Sequence, residues 1–134
     1  MKLNRQEELS ILVASELASR EGTRVSLSDI ASTHGISNAY PKKVTRMLKL
    51  AGIVASKEGV GGGYLLARPS SEITVLDLLK ASGSTNDATE LELKGQRVCP
   101  LQPDCLPQRI RQRIATAFLT YCGNITLDQL IKKG

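Results

Sequence analysis

Apolar residues recur every three or four positions near the start of the chain. Leu9, Leu12, Val13 and Leu17 share one helical face, Ser15, Glu16 and Ser19 lie off it, and Gly22 closes the segment. This predicts an amphipathic helix of about three turns. Ser26 and Asp29 stand three apart, the spacing of a capping box in which each side chain satisfies the other's free backbone N–H. A short helix should run from there to His34 and end at Gly35, where a left-handed residue is needed. A second helix opens three residues later. With Asn38 as its cap, Pro41 falls in the first turn and no intrahelical bond is lost, whereas Ser37 as the cap loses one, so Asn38 is preferred. On that helix Val44, Met47, Leu48 and Ala51 share one face and Lys42, Thr45, Arg46 and Lys49 the opposite one, with Lys43 beside them.

Gly52 stops this helix, residues 53–55 read as a strand, 58–63 as a tight turn and 64–67 as the returning strand, closed by Pro69. Thr74 with Asp77 three later starts another helix, carrying Leu76, Leu78 and Leu79 up to Gly83. Residues 84–107 hold few periodic apolar positions but contain Pro100, Pro103 and Pro107 together with Cys99 and Cys105. Irregular stretches of that length in a small domain are usually functional or disordered. From Pro107 a helix should run to about Cys122 with Ile110, Ile114, Ala117, Phe118 and Tyr121 on one face, a stripe that needs a partner. A last short helix starts at Thr126, with Gln129 three later, and ends at Lys132 and Lys133.

Composition bounds the class. The 134 residues are 41% hydrophobic and 23% charged, enough for one domain or a small domain with an extension. Aromatics are 3%, with no Trp and Phe118 as the single Phe, so the core must be aliphatic. A chain this short gains by burying more surface in an oligomer. No apolar run approaches the ~18 residues of a membrane span, and residues 1–8 lack an apolar leader core, so a soluble cytoplasmic protein without membrane association is expected. The net charge is +5. Between residues 37 and 68, Lys42, Lys43, Arg46, Lys49, Lys57 and Arg68 face Glu58 alone, so one short segment carries the whole excess. That is the footprint of a polyanion-binding surface.

The order of elements is that of a winged helix-turn-helix: a helix, a turn at Gly35, a basic helix and then a glycine hairpin. There the second helix enters the major groove and the hairpin reaches a minor groove or the backbone. Asn38, Tyr40 and Lys42 sit where base edges would be met, and Lys43, Arg46 and Lys49 suit phosphates, which add affinity without sequence information. Ser28, Lys57, Gly61, Gly62 and Tyr64 complete the candidate DNA-binding set. Cys99 and Cys105 lie between prolines with Arg97, Arg109 and Arg111 nearby, and cationic neighbours favour the thiolate, the form that binds metal and reacts with oxidants. A loop disulfide or a single bound metal would use the same pair, although six-residue spacing without a nearby His is a weak zinc signal and a cytoplasmic setting disfavours a lasting disulfide. His34 is the only histidine, and the 59–63 glycines precede a strand instead of the helix a phosphate site would use. With no Ser-His-Asp set and no paired acids in a cleft, an enzyme is not expected.

Several motifs carry a resemblance: Gly35-Ile36-Ser37, Leu50-Ala51-Gly52-Ile53-Val54, Gly61-Gly62-Gly63-Tyr64-Leu65-Leu66-Ala67-Arg68 and Ile73-Thr74-Val75. It continues through Cys99-Pro100-Leu101 to Cys105, the helix around Phe118 and the closing Asn124-Ile125-Thr126-Leu127. Over nearly its whole length the chain resembles the Rrf-two family of bacterial regulators, the IscR/NsrR type. The resemblance implies a mainly α fold: a winged helix-turn-helix with a two-stranded β wing and a long C-terminal dimerisation helix. It also implies a homodimer on a roughly two-fold symmetric DNA operator, the helix that carries Ile110, Ile114, Phe118 and Tyr121 crossing its partner. Three parts follow: a DNA-binding domain over 1–83, a cysteine sensor loop over 84–106, and the dimerisation and C-terminal helices over 107–134.

Sensing members of that family hold an iron–sulfur cluster, [2Fe–2S] or [4Fe–4S], on three cysteines with five residues between neighbours, and often borrow a ligand from the other subunit. Cys99 and Cys105 match the second and third positions, while the first falls at Leu93, which ligates nothing. Glu8 stands where some relatives supply an acidic ligand from the partner subunit. Cys122 is a third thiol, but about 17 residues of helix would hold it ~25 Å from Cys105 of its own chain, and a small buried residue at a helix end is its plainer reading. In the wing, Glu58 takes the place where the family commonly has Arg, which weakens wing contacts or shifts them to Lys57. The whole points to a transcriptional regulator, a homodimeric repressor that responds to iron–sulfur or redox status through Cys99 and Cys105. Two alternatives stay open: a cluster-free regulator of this fold controlled by thiol oxidation or a protein partner, and an iron–sulfur or thiol redox protein that docks on an acidic partner.

Overall fold

The structure, a computed structural model, describes residues 3–83 and 106–132. Helix α1 (Arg5–Ser19) begins at a reciprocal cap absent from the sequence reading. Asn4 Oδ1 accepts the Glu7 N–H at 2.9 Å and Glu7 Oε2 accepts the Asn4 N–H at 2.6 Å. Its face of Leu9, Val13 and Leu17 is buried, as the spacing requires. Helix α2 (Leu27–His34) has Ser26 Oγ accepting the Asp29 N–H at 3.1 Å, one half of the expected pair, and ends at Gly35 in the left-handed conformation (φ 62, ψ 34).

Helix α3 (Ala39–Leu50) has Pro41 in its first turn, as expected, but Asn38 does not act as a side-chain cap. Asn38 is already helical (φ −63, ψ −21), which turns its side chain away from the free N–H groups, and Ser37 Oγ accepts the Ala39 N–H at 3.3 Å instead.

Strands β1 (Val54–Lys57) and β2 (Gly63–Leu66) pair antiparallel, with Val54 opposite Leu66 and Lys57 opposite Gly63. Ile53, expected in the first strand, instead closes α3 onto the sheet. Its N–H reaches the Leu48 carbonyl at 3.0 Å, its carbonyl accepts the Ala67 N–H at 2.9 Å, and its side chain is buried. Val25 exchanges two 2.8 Å bonds with Tyr64, so the segment before α2 also clips onto β2. A 3-10 turn (Ser70–Glu72) follows, with Glu21 accepting from both the N–H and the Oγ of Ser70 at 3.0 and 2.9 Å.

Helix α4 (Val75–Ala81) has the full Thr74–Asp77 capping box that its spacing predicts. Helix α5 (Leu106–Asn124) packs on α4, and α6 (Leu127–Ile131) returns to pack on α1. That return is fixed by backbone bonds from Val75 N to Ile125 O (2.9 Å) and from Leu127 N to Ile73 O (2.7 Å). Leu9, Val13, Leu17, Ile30, Val44, Leu48, Ile53, Ile73, Leu78 and Leu127 form one continuous core, aliphatic throughout. On α5 the stripe finds no full cover among the described residues: Ile110, Ile114 and Tyr121 are 48%, 54% and 66% exposed, and Phe118 is half-buried. Among the described residues no helix is long and apolar enough to cross a membrane.

Candidate nucleic-acid interface

The buried side of α3 consists of Pro41, Val44, Thr45 and Leu48. These positions are i, i+3, i+4 and i+7, the apolar stripe of a core-facing helix. Thr45 was expected on the basic face and lies in the core instead, where its hydroxyl donates to the Pro41 carbonyl at 2.6 Å. A hydroxyl that bonds back to its own helix is satisfied without water, which is why a polar residue fits there. Met47 is half-buried and Ala51 exposed, at the margin of the stripe. Tyr40, Lys42, Lys43, Arg46 and Lys49 all face solvent, and Asn38 is exposed just ahead of them.

The wing is held beside this helix. Lys49 Nζ donates to Ser56 Oγ on β1 at 2.6 Å. Arg24 Nη1 donates to the Gly61 carbonyl at 3.1 Å, tying the turn to the segment that precedes α2. Gly62 and Gly63 are required by space: a Cβ on Gly62 would stand 2.8 Å from the Gly59 carbonyl oxygen and against that of Lys57, and one on Gly63 would stand 2.9 Å from Val25 O. Lys57, Glu58 and Val60 project from the turn into solvent, and Ser28 is exposed in the first turn of α2. Tyr64 differs from the rest of the expected set, since its half-buried side chain packs against the core. Basic α3, the α2 start and the wing turn are thus exposed parts of one fold. Two residues escaped the sequence reading, Arg24 and Arg5, the latter with its guanidinium 4.9 Å over the Tyr40 ring.

The candidate sensor is only partly in view. Leu93, Cys99 and Cys105 lie outside the described residues. Glu8 is exposed in the first turn of α1. Cys122 is a free thiol buried on α5, and burial pushes its pKa up. His34 lies at the end of α2 with Nε2 2.9 Å from Glu16 Oε1, and Glu16 also faces Arg20 at 3.6 Å. The described residues contain no group of three or more His, Cys, Asp or Glu able to hold a metal ion.

Comparison with known proteins settles the lineage. The profile of Rrf2, described as an iron-dependent transcriptional regulator, matches residues 3–133. The chain belongs to the Rrf2 family. It is 36% identical over 115 residues to the HTH-type transcriptional regulator IscR of Pectobacterium carotovorum subsp. carotovorum (strain PC1), a match that covers 86% of this chain and 68% of that protein. Among solved structures it is similar to CymR, the global cysteine regulator of B. subtilis, at 25% identity and a TM-score of 0.79, covering 98% of this chain and 96% of that one. It is likewise similar to IscR of T. potens, at 25% identity and a TM-score of 0.80, covering 98% and 87%. The Rrf-two resemblance of the motifs and the mainly helical winged fold therefore hold. As an Rrf2 protein, the chain is a DNA-binding transcriptional regulator.

Proposed function

We propose that this Rrf2 regulator is a cytoplasmic homodimeric repressor, not an enzyme, that places α3 in the major groove of a two-fold symmetric operator and the wing on the flanking backbone or minor groove. The observation that carries the reading is the α3 surface, where Lys42, Lys43, Arg46 and Lys49 face solvent opposite a buried Pro41, Val44, Thr45 and Leu48. A helix so divided presents every cation to an outside partner, and a B-form duplex matches it in charge and groove width. Asn38, Tyr40 and Lys42 read base edges, while Ser28, Lys43, Arg46, Lys49, Lys57 and the backbone of Gly61 and Gly62 hold phosphates. Ile110, Ile114 and Tyr121, exposed on α5, meet their copies across the two-fold axis.

The signal enters at Cys99 and Cys105. One chain does not supply the donors of an iron–sulfur cluster, because Leu93 replaces a thiol and Cys122 is buried on α5. A cluster would need the carboxylate of Glu8 from the other subunit; without it, oxidation of the two loop thiols is the signal. Leu93 favours the second reading.

The DNA assignment is tested by affinities for an operator duplex and a scrambled duplex. Arg46→Ala should weaken both alike, and Asn38→Ala should lower the preference for the operator. Indifference to both substitutions would contradict it. Iron and sulfide assays after anaerobic purification, on the wild type and Cys99→Ser, decide the sensor. Stoichiometric iron lost in the variant means a cluster, and an iron-free wild type that still binds DNA means thiol or partner control.

A further inference from the structure

Arg5 opens α1 at a place that does not serve the helix. A helix N-terminus carries partial positive charge and disfavours a cation in its first turn, whereas Glu7 and Glu8 occupy the favourable places beside it. Among the described residues no carboxylate lies within ion-pair distance of the Arg5 guanidinium. What it meets is the Tyr40 ring, with 4.9 Å from Cζ to the ring centroid, inside the range of a cation–π contact.

Two features hold this contact, and the exposure of Tyr40 gives it a consequence. The Asn4–Glu7 capping box pins the backbone on either side of Arg5. Helix α1 packs directly on α3, so the two helix starts keep their relation. Tyr40, the second residue of α3, is 48% exposed. An exposed aromatic free to change rotamer gives up that freedom when it meets a base, and a group already stacked on one face has less to lose.

We infer that Arg5 is a positioning residue for sequence recognition: it holds Tyr40 in the orientation that reads a base edge. This rests on the DNA-binding reading above and adds a specificity role for a residue outside the helix-turn-helix.

The test is a double-mutant cycle on the full chain, with equilibrium affinities measured by fluorescence anisotropy. Wild type, Arg5→Ala, Arg5→Lys, Tyr40→Ala and the Arg5→Ala/Tyr40→Ala double variant are each titrated with an operator duplex and a scrambled duplex of equal length. Arg5→Ala should weaken operator binding by about two- to fivefold and leave the scrambled duplex unchanged. Arg5→Lys, which keeps a cation over the ring, should recover part of the loss, and Arg5→Ala should have no further effect once Tyr40 is Ala. Equal losses on both duplexes, or an undiminished Arg5 effect in the Tyr40→Ala background, would overturn the inference and make Arg5 a phosphate contact only. A wild type that binds neither duplex overturns the DNA reading itself. A wild type that prefers its operator while the cycle is additive overturns only the role of Arg5.

Discussion

Lys49 Nζ and Ser56 Oγ are joined by a 2.6 Å hydrogen bond, so the last turn of α3 is tethered to β1, the first strand of the wing. Lys49 remains exposed, which leaves its other N–H donors free for a phosphate.

Lys49→Ala should weaken operator and scrambled duplexes alike and reduce the slope of log affinity against log salt by ~0.9, the release of one counterion. Ser56→Ala keeps the charge and should leave that slope unchanged while lowering operator affinity by a smaller factor. A Lys49→Ala slope equal to wild type would remove Lys49 from the phosphate contacts.

Gly62→Ala places a methyl 2.8 Å from the Gly59 carbonyl oxygen, against backbone that cannot rotate away. The turn must shift, at a cost of about 1–3 kcal/mol in urea unfolding. Val60→Ala, at a fully exposed site in the same turn, should change stability by less than ~0.5 kcal/mol. Equal effects of the two substitutions would contradict the packing described for the wing.

Thr45→Lys separates the sequence pattern from the structure. Placed on the basic face, this lysine would strengthen DNA binding. Placed where the structure has Thr45, fully buried beneath Pro41, it should destabilise the chain by about 3 kcal/mol or more, read from thermal or urea unfolding. A variant as stable as wild type with tighter binding would show that the α3 register is wrong.

That substitution also marks what was legible in the sequence. Caps at Ser26 and Thr74, the left-handed Gly35, the glycine hairpin and the charge excess over 37–68 could all be read, because each depends on neighbours a few residues apart. Thr45 misled, since it does not count as apolar, yet together with Pro41, Val44 and Leu48 it completes a helical stripe. Asn38 does stand at the N-cap position that its residue type favours, but with helical backbone angles its side chain makes no cap bond. Arg5 over Tyr40 and Arg24 on Gly61 join residues 35 and 37 positions apart, and no local pattern announces such pairs. Likewise, nothing in the periodicity shows that Val25 exchanges backbone bonds with Tyr64.

Burial raises the Cys122 pKa above its ordinary 9.0, so the fold favours the neutral thiol over the thiolate. The stability this contributes is full below pH 9 and is lost as pH rises through the folded-state value. Native protein at pH 8 should therefore alkylate Cys122 much more slowly than urea-unfolded protein, as followed by mass spectrometry. Stability should fall above pH 9 more steeply in the wild type than in Cys122→Ala. Equal alkylation of native and unfolded chains would place this thiol at the surface.

In the proposed regulator α3 and the wing, carried twice by a homodimer, read a symmetric duplex. Selection of the purified full chain against a library of random duplexes tests this most directly, with the enriched sequences read out. The account predicts a two-fold symmetric consensus with half-sites one helical turn apart, about 10–10.5 base pairs, or a multiple of that spacing, its enrichment abolished by Arg46→Ala. An enriched pool without symmetry, or no DNA retained even at low salt, would contradict it.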